Sequence, residues 1–415
     1  MSPTACKDRE ILLELARRYV EVANLPVQQE RRDLWTRHND LQSTRVPIIV
    51  SYGMYNVWCR DHWGDGALEC QGPLFRSHER SLRMGLFHHD IGDDFILEPW
   101  VEVAAVHDRT ESAFWGVEND MVHAGGESGG WLARPVIQEW SDMAKLSSPP
   151  HKIREEESAQ RFQQIQDAIG DILPVVLNRS AMGMGWMGDL SMNVARLRGL
   201  EQIMIDMFEC PDDLRRLMAF LRDSIMANMQ TAEKAGDVTL LSHQNQCMTY
   251  GGGLEAPQPS TQPRKISQMW GHIAAQELTL VSPAMHEEFM LNFQLPIIQQ
   301  YGRIAYGCCE DLTRKIDMLR KVPNLRIIAV SPVADLAKCV EQIRQDYVLS
   351  WRPNPADMVC CGYDEGRIRR VLRDGLQKAK GTRMHIHLKD IETVEGDCTR
   401  LTRWVRLARD VAASA

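Results

Sequence analysis

Short apolar runs alternate with amphipathic stretches along most of this chain. The runs are VPIIVSYG (46–53), DDFILEPW (93–100), DILPVVLNR (171–179), DVTLLSHQN (237–245), GRIAYGCC (302–309), LRIIAVSP (325–332), DYVLSWRPNP (346–355) and RMHIHLKD (383–390). Each is a handful of apolar or β-branched residues between polar, Gly or Pro positions, the pattern of strands buried on both faces of a parallel sheet. Between them, 212–236 opens on Asp, keeps a helical period and stops at Gly, and 282–302 and 364–381 follow the same rule. A strand–helix alternation repeated eight times predicts an α/β fold, a (β/α)8 TIM barrel. The helical stretches at 7–24 and 155–170, with the long segment 104–150, read as a prologue and insertions. The expected division is an N-terminal helical prologue over 1–45 and the barrel over 46–415. The Pro-rich EAPQPSTQPRK (255–265) reads as a surface loop over the barrel mouth.

Composition narrows the function classes. The formal charge is −8 and Lys and Arg form no stripe, so no nucleic-acid partner is expected. The first residues carry no apolar signal-peptide core, and no stretch approaches the ~20 apolar residues of a membrane helix. Eleven scattered cysteines suggest reduced thiols and a cytoplasmic location. Eleven Trp and twenty-one Met are heavy usage, and several fall at or just after strand ends, which suits an apolar pocket for a flat hydrophobic substrate. The alternative use of these residues is a core and a homodimer interface. GMGWMG (183–188) matches a dinucleotide fingerprint, but it follows the third expected strand rather than the first, so a Met-lined pocket wall is the better reading.

Barrel active sites lie at the C-terminal ends of the strands. Those ends supply Tyr52 and Trp58, Glu98 and Trp100, Asn178, His243, Cys308, Cys309 and Glu310, Arg352, and His387, Lys389 and Asp390, with Trp186 in the loop after the third strand. Cys308, His243 and Glu98 form the candidate metal set, since zinc takes S, N and O donors. Neighbouring residues of a strand point to opposite faces, so Cys308 and Cys309 share an ion only if the strand has already bent. Lys389, Asp390 and Glu310 are the candidate catalytic groups, the Lys for a substrate anion and the carboxylates for proton transfer. Tyr52, Trp58, Trp100, Asn178, Trp186 and Arg352 are the candidate substrate-binding residues, with Arg352 suited to a carboxylate or phosphate. His385 and His387 share one strand face, and the HH at 88–89 reads as solvated surface.

With these residues in view, the chain resembles the uroporphyrinogen decarboxylase superfamily, and within it the branch of corrinoid-dependent methyltransferases. The likeness rests on AQELTLVSPAMHEEF, YGCCEDL, VPNLRIIAVSP, DYVLSWRPNPA and HLKDIETV over about 266–408, and more weakly on PLFRSHERSLRMGLF and DDFILEPW. It implies a (β/α)8 barrel that moves a methyl group from a small donor, by its aromatic-rich mouth a methoxylated aromatic, to a corrinoid held by a partner protein, with zinc as Lewis acid. Members of that branch hold zinc through a His-x-Cys pair after the fifth strand and a later Cys near the seventh. Here the positions read Tyr306-Gly307-Cys308 and SWRPNP. The Arg-rich N-terminal segment of true decarboxylases is absent from VPIIVSYGMYNVWCRD. The alternatives are a decarboxylase or lyase acting on a small aromatic or tetrapyrrole-like carboxylic acid, and a non-catalytic binding barrel.

Overall fold

The structure is a computed structural model that describes residues 3–52, 65–123, 131–239 and 250–414. Two helices, α1 (Pro3–Ala23) and α2 (Pro26–Asn39), precede β1 (Ile48–Tyr52), and α3 (Pro73–Ile91) leads to β2 (Val101–Ala104). A hairpin of β3 (Asp120–His123) and β4 (Trp131–Arg134) and helix α4 (Glu155–Ile169) come before β5 (Val175–Asn178). Next are α5 (Leu190–Arg198), α6 (Leu200–Glu209), α7 (Pro211–Ala235) and β6 (Trp270–Ile273). Helix α8 runs through Pro283–His286, a π turn at Glu287–Leu291 and Asn292–Ile298. The chain ends in the alternation β7 (Arg303–Tyr306), α9 (Ile316–Leu319), β8 (Leu325–Val330), α10 (Leu336–Ile343), β9 (Val348–Trp351), α11 (Glu365–Lys378), β10 (Arg383–Ile391) and α12 (Thr399–Ala413).

Local chemistry explains the elements. Helix α7 begins with Pro211 and two first-turn aspartates and stops at Gly236, whose φ of 79° is open to Gly without a Cβ penalty. Its Leu214, Leu217, Met218, Leu221, Ile225 and Met229 recur at three- and four-residue steps and are all buried. Each such side chain contributes about 1.5–3 kcal/mol when removed from water. Helix α11 lies so close on β9 that a Cβ at Gly375 would sit 2.1 Å from the Trp351 ring.

The result is an α/β fold. Six parallel strands, ordered β1-β10-β9-β8-β7-β6, form a curled half-barrel, and β2 and β5 make a separate parallel pair. The free edge of β1 is met by residues 93–94. Asp94 N–H donates to Ile48 O at 2.7 Å, and the Asp93 and Asp94 carboxylates accept from Val50 N (2.9 Å) and Ile48 N (2.8 Å). The strand expected at 93–100 therefore forms at 101–104 instead. The two aspartates bond β1 through their side chains, and Pro99 has no N–H to give a ladder. Most of the strand expected at 237–245 lies outside the described residues. Strand β6, the sheet's sixth member, was not expected, because WGHI is short and carries a polar residue in a strand buried on most positions.

Two surface expectations are corrected. The 255–265 loop feeds the N-terminal end of β6: Arg264 N–H donates to Val238 O at 2.8 Å, and Pro263 abuts Gly236 just after α7. It therefore sits at the opposite end of the strands from the mouth. His88 is buried, 2.8 Å from Asp93 Oδ2, because the 88–89 pair belongs to amphipathic α3 rather than to a polar connection. No helix among the described residues is long and apolar enough to cross a membrane.

Asp94 carries the first prediction. Its buried carboxylate also accepts two bonds from Arg45 (2.7 and 2.8 Å) and one from Arg409 (2.9 Å). Burial pushes its pKa up, but the Arg45 hydrogen bonds and the Arg409 charge outweigh this and hold it below the usual carboxylate range. A depressed folded-state pKa gives stability that is complete above the unfolded value of ~3.9 and is lost as pH falls through the folded one. Asp94→Ala is expected to cost about 2–3 kcal/mol in denaturant unfolding at neutral pH, a value reduced because both arginines are partly exposed. The deficit should shrink as pH falls past the unfolded value and through the folded one, and a pH-independent deficit would contradict this account.

Candidate functional site

The C-terminal ends of β6, β7, β9 and β10 converge. On β10, His385, His387 and Lys389 alternate onto one face, as the two-residue period requires. His385 Nδ1 meets His38 of α2 at 3.1 Å and its Nε2 meets Ser350 Oγ at 2.8 Å, while His387 Nε2 lies 2.7 Å from Ser51 Oγ. Lys389 is the rim member of this column. Burial and nearby cations push both histidines well below the usual imidazole pKa, so the column is neutral below the lysine.

At the rim, two pairs of sequence neighbours face the same way. A regular strand would send Cys308 and Cys309 to opposite faces. Gly307, with φ of 101°, bends the chain first, and the thiol sulfurs stand 3.5 Å apart. A regular strand would likewise separate Lys389 from Asp390. Here β10 carries a bulge: Val50 pairs with Leu388 and Tyr52 with Ile391, so three steps on β10 match two on β1. Asp390 takes φ of 57°, a conformation Asp tolerates better than most residues. Lys389 Nζ consequently donates to both Asp390 oxygens (2.7 and 2.8 Å) and lies 3.7 Å from Cys308 Sγ and 3.8 Å from Cys309 Sγ. Cys309 Sγ also stands 3.5 Å from Asp390 Oδ2. Gly307→Ala is the test of the bend. Its Cβ would meet Leu312 Cδ1 at 2.8 Å and Ala329 Cβ at 3.0 Å in a backbone region costly for Ala. A loss of about 1–3 kcal/mol in unfolding experiments is expected.

Charge sets the thiol chemistry. The hydrogen bond from Cys309 brings the buried Cys308 thiol down to about 7 against the opposing effect of burial, helped by Lys389 and Arg352. Cys309 is pushed up by its bond to Cys308 and by burial. Burial works against the Lys389 ammonium, but Cys308 and Asp390 outweigh it and hold its pKa above the ordinary lysine value, so it stays charged. Glu310 is a clamp: its buried carboxylate accepts from Ala275 N (2.9 Å) and Cys308 N (2.6 Å), joining the turns after β6 and β7. Arg352 follows β9 on the same face as Ser350 and donates through Nη1 to Cys308 O.

The remaining candidates distribute as follows. Trp186, in a short turn after β5, is about half exposed and lies edge-on to His272 of β6, ring centroids 6.5 Å apart. The GMGWMG stretch forms two 3-10 turns that bury Met184 and Met187 in the main core, and Gly183 N–H donates to Asn228. Asn178 closes β5 and donates to Glu102 at 2.9 Å. Glu98 and Trp100 are not at the rim: both precede β2 and so stand at the N-terminal end. Glu98 pairs there with Arg32 (2.8 Å) and Tyr250, and Trp100 packs on Val176. The displacement of the strand to 101–104 is the reason, since residues read as a strand end became its approach. Tyr52 ends β1, and Trp58 and His243 lie outside the described residues.

The sequence reading missed His272, 3.2 Å from Gly307 O and lowered to about 3 by burial and by Arg352. It also missed Asp189, Ser191 and Glu277. Asp189 caps α5 and bonds Ser191 Oγ at 2.8 Å, and Ser191 reaches Glu277 at 2.5 Å. Burial and the Glu277 charge raise Asp189 to about 7. The capping pattern D-L-S was a legible signal for Asp189; nothing marked His272 once β6 was missed.

A catalytic zinc needs three protein donors. Among the described residues no three His, Cys, Asp or Glu side chains stand in a metal-binding arrangement. The thiol pair instead faces the Lys389 ammonium, which repels a cation. The described residues thus do not fit zinc, and no step is assigned to it.

No protein-family profile matches the chain, and no curated protein matches it. Among solved structures it is similar to a methyltransferase from Methanosarcina mazei, with a TM-score of 0.48 and 11% identity over 91% of this chain and 97% of that one.

Proposed function

We propose that this rim is the active site of a methyltransferase that takes a methyl group from a small methoxylated aromatic and passes it to a corrinoid carried by a partner protein. The half-barrel and the β2–β5 pair are read as arcs of one (β/α)8 barrel. The observation that carries the proposal is the cluster of Cys308, Cys309, Lys389 and Asp390, held by two backbone kinks at the ends of β7 and β10, which have two strands between them in the sheet. The motif resemblance over 266–408 supplies the reaction class. In this reading Trp186 and His272 offer flat surfaces to the aromatic ring. The methyl carbon leaves as its bond to oxygen breaks, and a nucleophilic acceptor supplies the new electron pair. The oxygen keeps the old pair and takes a proton from Lys389, which Asp390 orients.

The test is direct. The purified chain, a reduced corrinoid protein and a panel of methoxybenzenes are mixed, and methylation is followed as a change in cobalt absorbance. Cys308→Ala, which removes the thiol beside the Lys389 ammonium, is expected to weaken the transfer and keep its melting profile. An unchanged cobalt spectrum across the panel would sink the proposal.

A second reading is favoured by one observation: two cations, Lys389 and Arg352, both stand against Cys308, the first 3.7 Å from its sulfur and the second bonded to its carbonyl. A decarboxylase of a small aromatic acid would use them to hold its substrate. Carbon dioxide release without corrinoid and in the presence of a chelator would select it.

A further inference from the structure

Arg352 is nearly fully buried; its backbone N–H donates to Val330 O, and its guanidinium donates through Nη1 to the Cys308 carbonyl. No carboxylate of the described residues pairs with it. Glu310 is occupied by two backbone N–H groups, and Asp390 by Lys389 and Cys309. The Arg352 Nε–H has no acceptor. His387, buried beside it, uses Nε2 on Ser51 and leaves Nδ1 without a partner. In the tautomer where Ser51 donates into Nε2, Nδ1 carries the ring proton and is a second buried donor beside the Arg352 Nε–H.

A buried guanidinium without a carboxylate partner is costly, and an unmet buried donor adds to that cost. Structures retain such arrangements where a ligand completes them. We propose that Arg352 and His387 form an anion subsite, and that the methyl donor is an acid whose carboxylate sits on the guanidinium. A planar carboxylate matches the planar fork of arginine, while a neutral amide presents one oxygen and adds donors against donors. Lys389 remains free for the reacting oxygen because its charge is already shared with Asp390 and the thiols. This inference rests on reading the rim as an active site.

Calorimetric titration of the purified chain with para-methoxybenzoate and with para-methoxybenzamide tests it without the partner protein. The acid is expected to bind at least about tenfold more tightly than the amide. Arg352→Gln should erase that preference and leave amide binding in place, and Arg352→Lys should restore part of it as a point charge without the fork. Melting curves report whether each variant folds. If Arg352→Gln does not fold, the comparison of acid with amide on the parent chain decides. Equal binding of acid and amide, binding of neither, or an acid preference that persists in a folded Arg352→Gln overturns the subsite. Acid preference without methyl transfer keeps this inference and removes the proposed reaction. Methyl transfer from acid and amide alike keeps the reaction and removes the subsite.

Discussion

Replacing Lys389 with methionine is expected to cut methyl transfer by about 100- to 10,000-fold, the range for loss of a positioned proton donor. The same substitution should raise the Cys308 thiol from about 7 by roughly 1–3 units, the usual effect of removing an opposite charge at this range. The second readout does not depend on the reaction. It is the pH midpoint of thiolate ultraviolet absorbance, taken as the difference between the variant and the same variant with Cys308→Ala. The sign follows from the geometry. Lys389 Nζ is 3.7 Å from the Cys308 sulfur and favours its ionised form. The Cys309 hydrogen bond is the larger influence, so Cys309→Ala should raise the midpoint as well, and Cys309→Ser, which keeps a donor, should raise it less. An unmoved midpoint in Lys389→Met would mean that the ammonium does not act on the thiol.

Glu310→Gln is expected to destabilise the chain by about 3 kcal/mol in denaturant unfolding. Both carboxylate oxygens of Glu310 accept backbone N–H groups, from Ala275 and Cys308, in a site sealed from water. Glutamine keeps one acceptor and turns its NH2 group toward an N–H, which leaves two donors facing each other. The loss should also loosen Cys308, whose N–H the carboxylate holds, and so weaken transfer beyond what stability alone explains. Glu365→Gln is the control. Glu365 is exposed and 3.5 Å from Arg403, so its loss should stay within about 0.5 kcal/mol. A Glu310→Gln midpoint matching this control would show that the clamp contributes nothing.

The two predictions rest on residues of different legibility. Lys389, Asp390, Cys308 and Glu310 follow long apolar runs in the C-terminal half, where strand and helix patterns are clean, and all four were placed at strand ends from the sequence. The N-terminal half was harder. Its Asp93 and Asp94 bond β1 through side chains, which mimics a strand in sequence and shifts the real one beyond Trp100. Glu98 reads as a strand end for that reason alone. His272 sits on a four-residue strand whose pattern is too short to detect.

Over the C-terminal half, the sequence by itself determined the alternation of elements, the parallel sense of the sheet and the strand ends from which the reactive groups project, because burial periodicity is a local property. Only the tertiary structure decided which groups meet. Two positive-φ kinks, at Gly307 and Asp390, turn neighbouring side chains onto one face and bring thiols and ammonium within 4 Å. Backbone angles at a strand end are set by the register of adjoining strands and by packing such as Leu312 and Ala329 against Gly307, and that information is spread over residues far apart in the chain.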